Sequence, residues 1–269
     1  MNASTHHPHK SDCALITGAS AGIGAEFART FARHGHSLIL VARRADKLEA
    51  LAQELRQQYR IAIEVIPQDL GQAGAAEKLH QEVTQRGLAV NILVNNAGLL
   101  CRGAFAETDL AEQQALLQLN ITVLTELTHR FLPAMVERGH GRILNLASSA
   151  AFQPLPWTAT YAASKAYVLS FSEALSIEVK HRGVSVTALC PGFTETDMIA
   201  QDGAKTFKIP GVRNLTPAKV AEQGYAACMA GTPAYINGSI NRLLILMGQH
   251  LPRWLQRLSA EWFARVAMR

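Results

Sequence analysis

An α/β fold wound on both faces of a parallel sheet is what this 269-residue chain predicts, and three observations carry the expectation. From Cys13 onward, short β-branched or apolar runs alternate with helical stretches, the pattern of successive βαβ units. Hydrophobic residues make up 48% of the chain and charged residues 17%, a balance that suits strands buried under helices on both sides. Between the first strand-like run and the first helical one stands the turn Thr17-Gly18-Ala19-Ser20-Ala21-Gly22-Ile23-Gly24. At that position an open α/β sheet can hold a phosphate on backbone N–H groups and a helix dipole.

Strands are expected over 14–17, 37–42, 62–66, 91–95, 142–147, 184–189 and, briefly, 234–237. Each is a Val/Ile/Leu-rich run bounded by turn residues. Helices are expected over 23–33, 46–58, 74–85, 110–138, 161–181 and 217–230, with right-handed crossovers stacking the strands into one sheet. The length suits one large domain, over 13–239. Residues 1–12 carry His6, His7, Pro8 and His9 without an apolar stretch, so they read as a flexible leader and neither a signal peptide nor a metal site. Residues 193–215 read as a loop.

Cys13, Cys101, Cys190 and Cys228 form no CxxC pair and have no histidine at zinc spacing. No metal or disulfide framework is indicated, and a reducing, cytoplasmic setting fits. The net charge is +5, but the basic residues are scattered without interleaved aromatics, which argues against a nucleic-acid partner.

The glycine spacing is Gly-x3-Gly-x-Gly and not the Gly-x-Gly-x-x-Gly fingerprint, so the turn marks a dinucleotide phosphate without naming a family. After the second strand, where an NAD site offers an acidic side chain, this chain offers Arg43 and Arg44. Guanidinium suits a 2′-phosphate, so NADP(H) is the expected cofactor, with Arg43 the better placed of the two and Asp46 a helix N-cap.

Tyr161 and Lys165 stand four residues apart, with Ser148 thirteen residues before Tyr161. Spacing by four puts phenol and ammonium on one helix face, where the cation favours the phenolate. Lowering a tyrosine from about 10 to ~7 requires roughly 4 kcal/mol. One lysine rarely supplies that, and a second positive group such as an oxidised nicotinamide would help.

With the glycine turn, Asn95-Asn96-Ala97-Gly98, Ser148, Tyr161-x3-Lys165 and Pro191-Gly192 in that order, the chain over residues 14–196 resembles the short-chain dehydrogenase/reductase family. The resemblance implies a single Rossmann-type domain with a seven-stranded parallel sheet. It makes Tyr161 the acid/base, Lys165 its electrostatic partner and a ligand of the nicotinamide ribose, and Ser148 the partner of the substrate oxygen. Asn120 matches the helix asparagine that sustains a proton-relay water. Gly18, Ser20, Gly22, Ile23 and Gly24 match the pyrophosphate turn, Asp69 the adenine contact, Asn96 and Gly98 the path of the cofactor, and Pro191, Gly192 and Thr194 its nicotinamide end. A homodimer or homotetramer is implied as well.

The surfaces expected to face substrate are apolar: Leu99, Leu100, the segment Gln153-Pro154-Leu155-Pro156-Trp157, and Phe193, Met198, Ile199, Phe207 and Ile209. A hydrophobic carbonyl compound or alcohol fits them. No arginine or histidine stands ready to grip a carboxylate, except Lys205, Lys208 and Arg213 should the loop close as a lid. The expected function is an NADP(H)-dependent carbonyl reductase or alcohol dehydrogenase. A non-catalytic NADP(H) sensor on the same fold and an epimerase or dehydratase are the alternatives.

Residues 240–269 carry Trp254, Leu255, Leu258, Trp262 and Val266 at helical spacing, with Arg253, Arg257, Arg265 and Arg269 around them and only Glu261 opposing. This reads as an amphipathic basic helix, with packing on the domain or a subunit contact favoured over a membrane surface. The run Leu243-Leu244-Ile245-Leu246-Met247 is too short to span a bilayer.

Overall fold

Seven apolar runs pair side by side into one parallel sheet: β1 (Cys13–Thr17), β2 (Ser37–Ala42), β3 (Ile63–Pro67), β4 (Ile92–Asn95), β5 (Gly141–Leu146), β6 (Val184–Cys190) and β7 (Ala234–Ile236). Their order across the sheet is β3-β2-β1-β4-β5-β6-β7. The structure is a computed structural model and describes residues 12–192, 194 and 214–267. The leader before Asp12, together with Phe193, Met198, Ile199, Lys205, Phe207, Lys208, Ile209 and Arg213 of the expected loop, lies outside the described residues.

Successive strand residues face opposite sides, and both sides are buried. Ile16, Leu40 and Val94 belong to one core cluster, whereas their neighbours Leu15, Ile39 and Leu93 belong to the other. Three helices cover the first face: α1 (Gly22–Arg33), α2 (Ala45–Tyr59) and, well along the chain, the helix at Pro217–Met229. They bury Phe27, Phe31, Leu48, Leu55 and Val220 against it. The second face receives α3 (Ala75–Gln85), the long helix formed by α4 (Leu110–Leu117) and α5 (Leu124–Glu137), and α6 (Ala159–Val179). Leu79, Leu127, Phe131, Met135 and Leu175 are buried there. Full burial of one such side chain contributes about 1.5–3 kcal/mol, which is why the strands read as continuous apolar runs.

Two elements differ from expectation. The helix expected over 110–138 runs its whole length but contains a π-helical turn, Gln118–Val123, between α4 and α5. The C-terminal extension is two helices, α8 (Ser239–Gln249) and α9 (Arg253–Ala267). Pro252 separates them, since proline lacks the N–H that would continue the first.

The helix at Pro217–Met229, α7, approaches α1 and β6 most closely at Gly224. A Cβ there would lie 2.6 Å from Leu189 Cδ2 and 2.9 Å from Phe27 Cζ. Gly224→Val is therefore expected to lower the unfolding free energy by about 1–3 kcal/mol, the usual cost of overpacking. Urea denaturation checks this, and an unchanged midpoint would show that the α1–α7 contact yields freely.

Candidate active site

Strand order reverses between β1 and β4, and open α/β sheets bind ligands beyond the carboxyl ends of the strands at such a point. Here a cleft of about 960 Å³ opens over the ends of β1, β4, β5 and β6. Of the residues proposed from sequence, Gly18, Ser20, Gly22, Ile23, Gly24, Arg43, Arg44, Asp69, Asn96, Gly98, Ser148, Tyr161, Lys165, Pro191, Gly192 and Thr194 all line it. Asn120 alone does not.

The glycine turn is clamped to the end of β4. Thr17 Oγ1 accepts from the backbone N–H groups of Asn96 and Ala97, each at 3.0 Å, and donates to Val94 O at 3.2 Å. Asn96 Nδ2 donates to Thr17 O at 2.9 Å. The approach leaves no room for side chains: a Cβ at Gly18 would lie 2.8 Å from Asn96 Nδ2, and one at Gly24 only 2.2 Å from Gly18 O. Gly18 also holds φ +67°, in the left-handed region. Helix α1 then begins at Gly22 with no side-chain cap and no acidic residue in its first turn. Its N–H groups and positive dipole end are thus left for an anion.

Beside the turn, Arg44 donates from Nε at 3.3 Å and Nη2 at 3.0 Å to Ser20 Oγ. Arg43 and Arg44 both line the cleft, and of the two it is Arg44 that bonds the turn. Asp69 Oδ1 accepts from Gly71 N at 3.0 Å, so its carboxylate shapes the adjoining loop.

At the other end of the cleft, α6 brings Tyr161 and Lys165 together on one face. Lys165 is buried, its Nζ donating 2.7 Å to Leu146 O at the end of β5 and lying 5.7 Å from the Tyr161 ring centroid. Ser148 accepts at Oγ from Ala150 N at 3.1 Å, capping a short 3₁₀ turn, and its hydroxyl lies beside the Tyr161 phenol. Burial raises the Tyr161 phenol above its usual value, and the Ser148 hydroxyl recovers only part of the rise. Burial also lowers Lys165 to about 8. Burial thus works against both charged forms, in keeping with the expectation that one lysine rarely supplies the whole shift.

Asn120 sits in the π-helical turn, buried. Its Oδ1 accepts from Leu99 N at 2.8 Å, and its Nδ2 donates to Leu99 O at 3.0 Å and Ser164 Oγ at 3.1 Å. The amide is thus committed to the loop after β4, one side chain away from the cleft.

Sequence reasoning missed two parts of the wall. Arg102 lines the cleft beside Leu99, Leu100 and Leu155, in a loop tied across by Gly103 N donating to Trp157 O at 2.9 Å. Its four-residue distance from Gly98 was the available signal. Helices α8 and α9 contribute Asn241, Leu244 and Gln256, and the turn between them contributes Leu251. A Cβ at Gly192 would lie 2.2 Å from Asn241 Nδ2, so α8 presses against the Pro191-Gly192 end.

Known proteins resemble this chain over most of its length. The short chain dehydrogenase family model matches residues 12–206. Sulfoacetaldehyde reductase 2 of Chromohalobacter salexigens is 36% identical over 88% of this chain and 94% of its own length. Hydroxysteroid dehydrogenase-like protein 1 of Gallus gallus is 31% identical over 94% of this chain and 76% of its own. Among solved structures, a short-chain dehydrogenase from Sphingobium yanoikuyae in complex with NADPH superposes with a TM-score of 0.79 at 31% identity, covering 88% of this chain and 92% of that one.

The lowered Lys165 has a measurable consequence. Between its folded value of about 8 and the ordinary 10.5, the unfolded chain carries a proton that the folded chain lacks. Stability linked to this group therefore rises with pH across that window. Urea unfolding of wild type and Lys165→Met from pH 7 to 10 should show the wild type gaining on the variant above about pH 8. Parallel pH curves would mean that Lys165 titrates as in the unfolded chain.

Proposed function

Since the chain belongs to the short-chain dehydrogenase/reductase family of oxidoreductases, we propose that it is an NADP(H)-dependent carbonyl reductase or alcohol dehydrogenase with Tyr161 as acid/base. One observation carries the reading: the Tyr161 phenol, the Ser148 hydroxyl and the Lys165 ammonium meet at the end of the same cleft whose other end is the glycine turn. The residues present fit a dinucleotide. Gly18 and Gly24 let the turn close onto the end of β4 where any side chain would clash, α1 offers uncapped N–H groups to a pyrophosphate, and Arg44 with Arg43 supplies guanidinium groups for a 2′-phosphate.

When bound, the nicotinamide supplies or accepts the hydride at the carbonyl carbon. Tyr161 gives its proton to the substrate oxygen during reduction and recovers it during oxidation. Its raised value keeps the proton in place at neutral pH until that oxygen demands it. Ser148 donates to the same oxygen as charge develops there. Lys165, at about 8, is protonated at neutral pH and offsets the phenolate that remains. Asn120 is assigned a positioning role through Leu99 in place of direct contact with the reacting groups.

The substrate end is walled by Leu99, Leu100, Phe152, Leu155, Leu244 and Leu251, and apart from Lys165 its cationic side chain, among the described residues, is Arg102. A carbonyl compound with an apolar body and a polar or acidic group within reach of Arg102 fits best. A cytoplasmic homodimer or homotetramer completes the proposal.

Tyr161→Phe is expected to lower NADPH-dependent turnover of ketones by about 100- to 10,000-fold while leaving NADPH binding intact, the usual range for a lost general acid. Turnover kept by the variant would remove Tyr161 from the chemistry. Arg43→Ala combined with Arg44→Ala should cut the preference for NADPH over NADH at least about tenfold, as loss of charge-assisted hydrogen bonds does. Equal preference before and after the change would refute the 2′-phosphate assignment.

A further inference from the structure

Exposed apolar side chains are unevenly spread over this chain. Of the fourteen large ones exposed among the described residues, eight fall between residues 240 and 258. In α8 they recur at helical spacing: Ile240, Leu243, Leu244 and Met247 are 53%, 59%, 54% and 62% exposed. In α9, Trp254 and Leu258, one turn apart, are 56% and 53% exposed. Every other long helix of the fold turns its apolar stripe to the core; these two turn theirs outward, and a contiguous face of that kind marks an interaction surface.

The charges beside it are predominantly positive. Over residues 239–261 the exposed ionised side chains are Arg242, Arg253 and Arg257 against Glu261. Pairing this face with itself in a two-fold dimer would set those arginines toward one another. Apolar stripes flanked by arginine are instead the signature of a helix lying in a lipid interface. At 11 and 15 residues, neither α8 nor α9 reaches the ~20 needed to cross a bilayer, so both would lie flat.

We propose that the outward face of α8 and α9 docks on an anionic lipid surface. Leu244 and Leu251 belong both to this exposed region and to the cleft wall, so docking would turn the cleft mouth toward the acyl region and let an apolar substrate pass between them. The binding itself is independent of the reaction assigned above.

Co-sedimentation of the full chain with vesicles of phosphatidylcholine alone, or mixed with phosphatidylglycerol, tests the proposal. Binding to the mixed vesicles only, weakened by added salt, is expected. Each arginine near such a surface is worth about fivefold in affinity, so Arg253→Glu with Arg257→Glu should reduce binding at least about 25-fold. Leu243→Ser with Met247→Ser and Trp254→Ser should also release the protein, while both variants keep their circular dichroism and their turnover of a water-soluble ketone. The proposal fails if both vesicle types bind equally or not at all, or if both variants stay bound. It fails equally if the wild type associates with itself through this face, seen as a larger species in analytical ultracentrifugation that both variants dissolve.

Discussion

A buried ammonium resting on a backbone carbonyl is the interaction around which the Tyr161 end of the cleft is arranged. Taking a cation out of water costs several kcal/mol, and Lys165 accepts that cost beside a cluster of Val168, Leu169, Ala147 and Cys190. Leu146 O, at the last residue of β5, holds it in place. The bond fixes α6 against the strand end, and through the turn spacing it fixes Tyr161 next to the Ser148 hydroxyl. Its cost shows in the ionisation: the same desolvation that lowers Lys165 raises Tyr161.

A steric constraint organises the opposite end. The Thr17 hydroxyl and the Asn96 amide draw the turn after β1 onto the end of β4, so closely that Gly24 faces a carbonyl oxygen where a side chain would otherwise stand. Behind them a second polar chain, Thr128, Asn95, Asn145 and Ser172, runs through the buried ends of β4 and β5. The hydrogen bonds along this chain allow its groups to lie inside an otherwise apolar sheet, with Asn95 Oδ1 the atom of the four side chains left without a partner among the described residues.

Much of this was legible in the chain. Strands covered on both faces leave uninterrupted apolar runs, so all seven could be located, and the residues of the cleft followed from motifs at strand ends. What escaped notice depends on three-dimensional neighbours. Nothing between Leu117 and Val123 resembles a break, because the π-helical turn contains neither a glycine nor a proline. Position after the strand singles out Arg43, whereas the bond from Arg44 to Ser20 depends on side-chain reach. Pro252 did announce two helices, but the regular spacing of Trp254, Leu255 and Leu258 masked the division. The direction of the Tyr161 shift depends on burial, which residue spacing does not report.

The π-helical turn also has an evolutionary side. It amounts to one surplus residue absorbed within a continuous helix, and everything downstream is rotated by roughly 100° relative to an uninterrupted one. Deleting a residue there would restore ideal helical geometry while sacrificing either the grip of Asn120 on the loop or the inward aim of Leu124, Leu127 and Phe131. Point substitutions are unlike such a length change, since each leaves the phase of the helix intact. Lineages descending from this chain can thus vary the chemistry around the segment far more freely than they can vary its residue count.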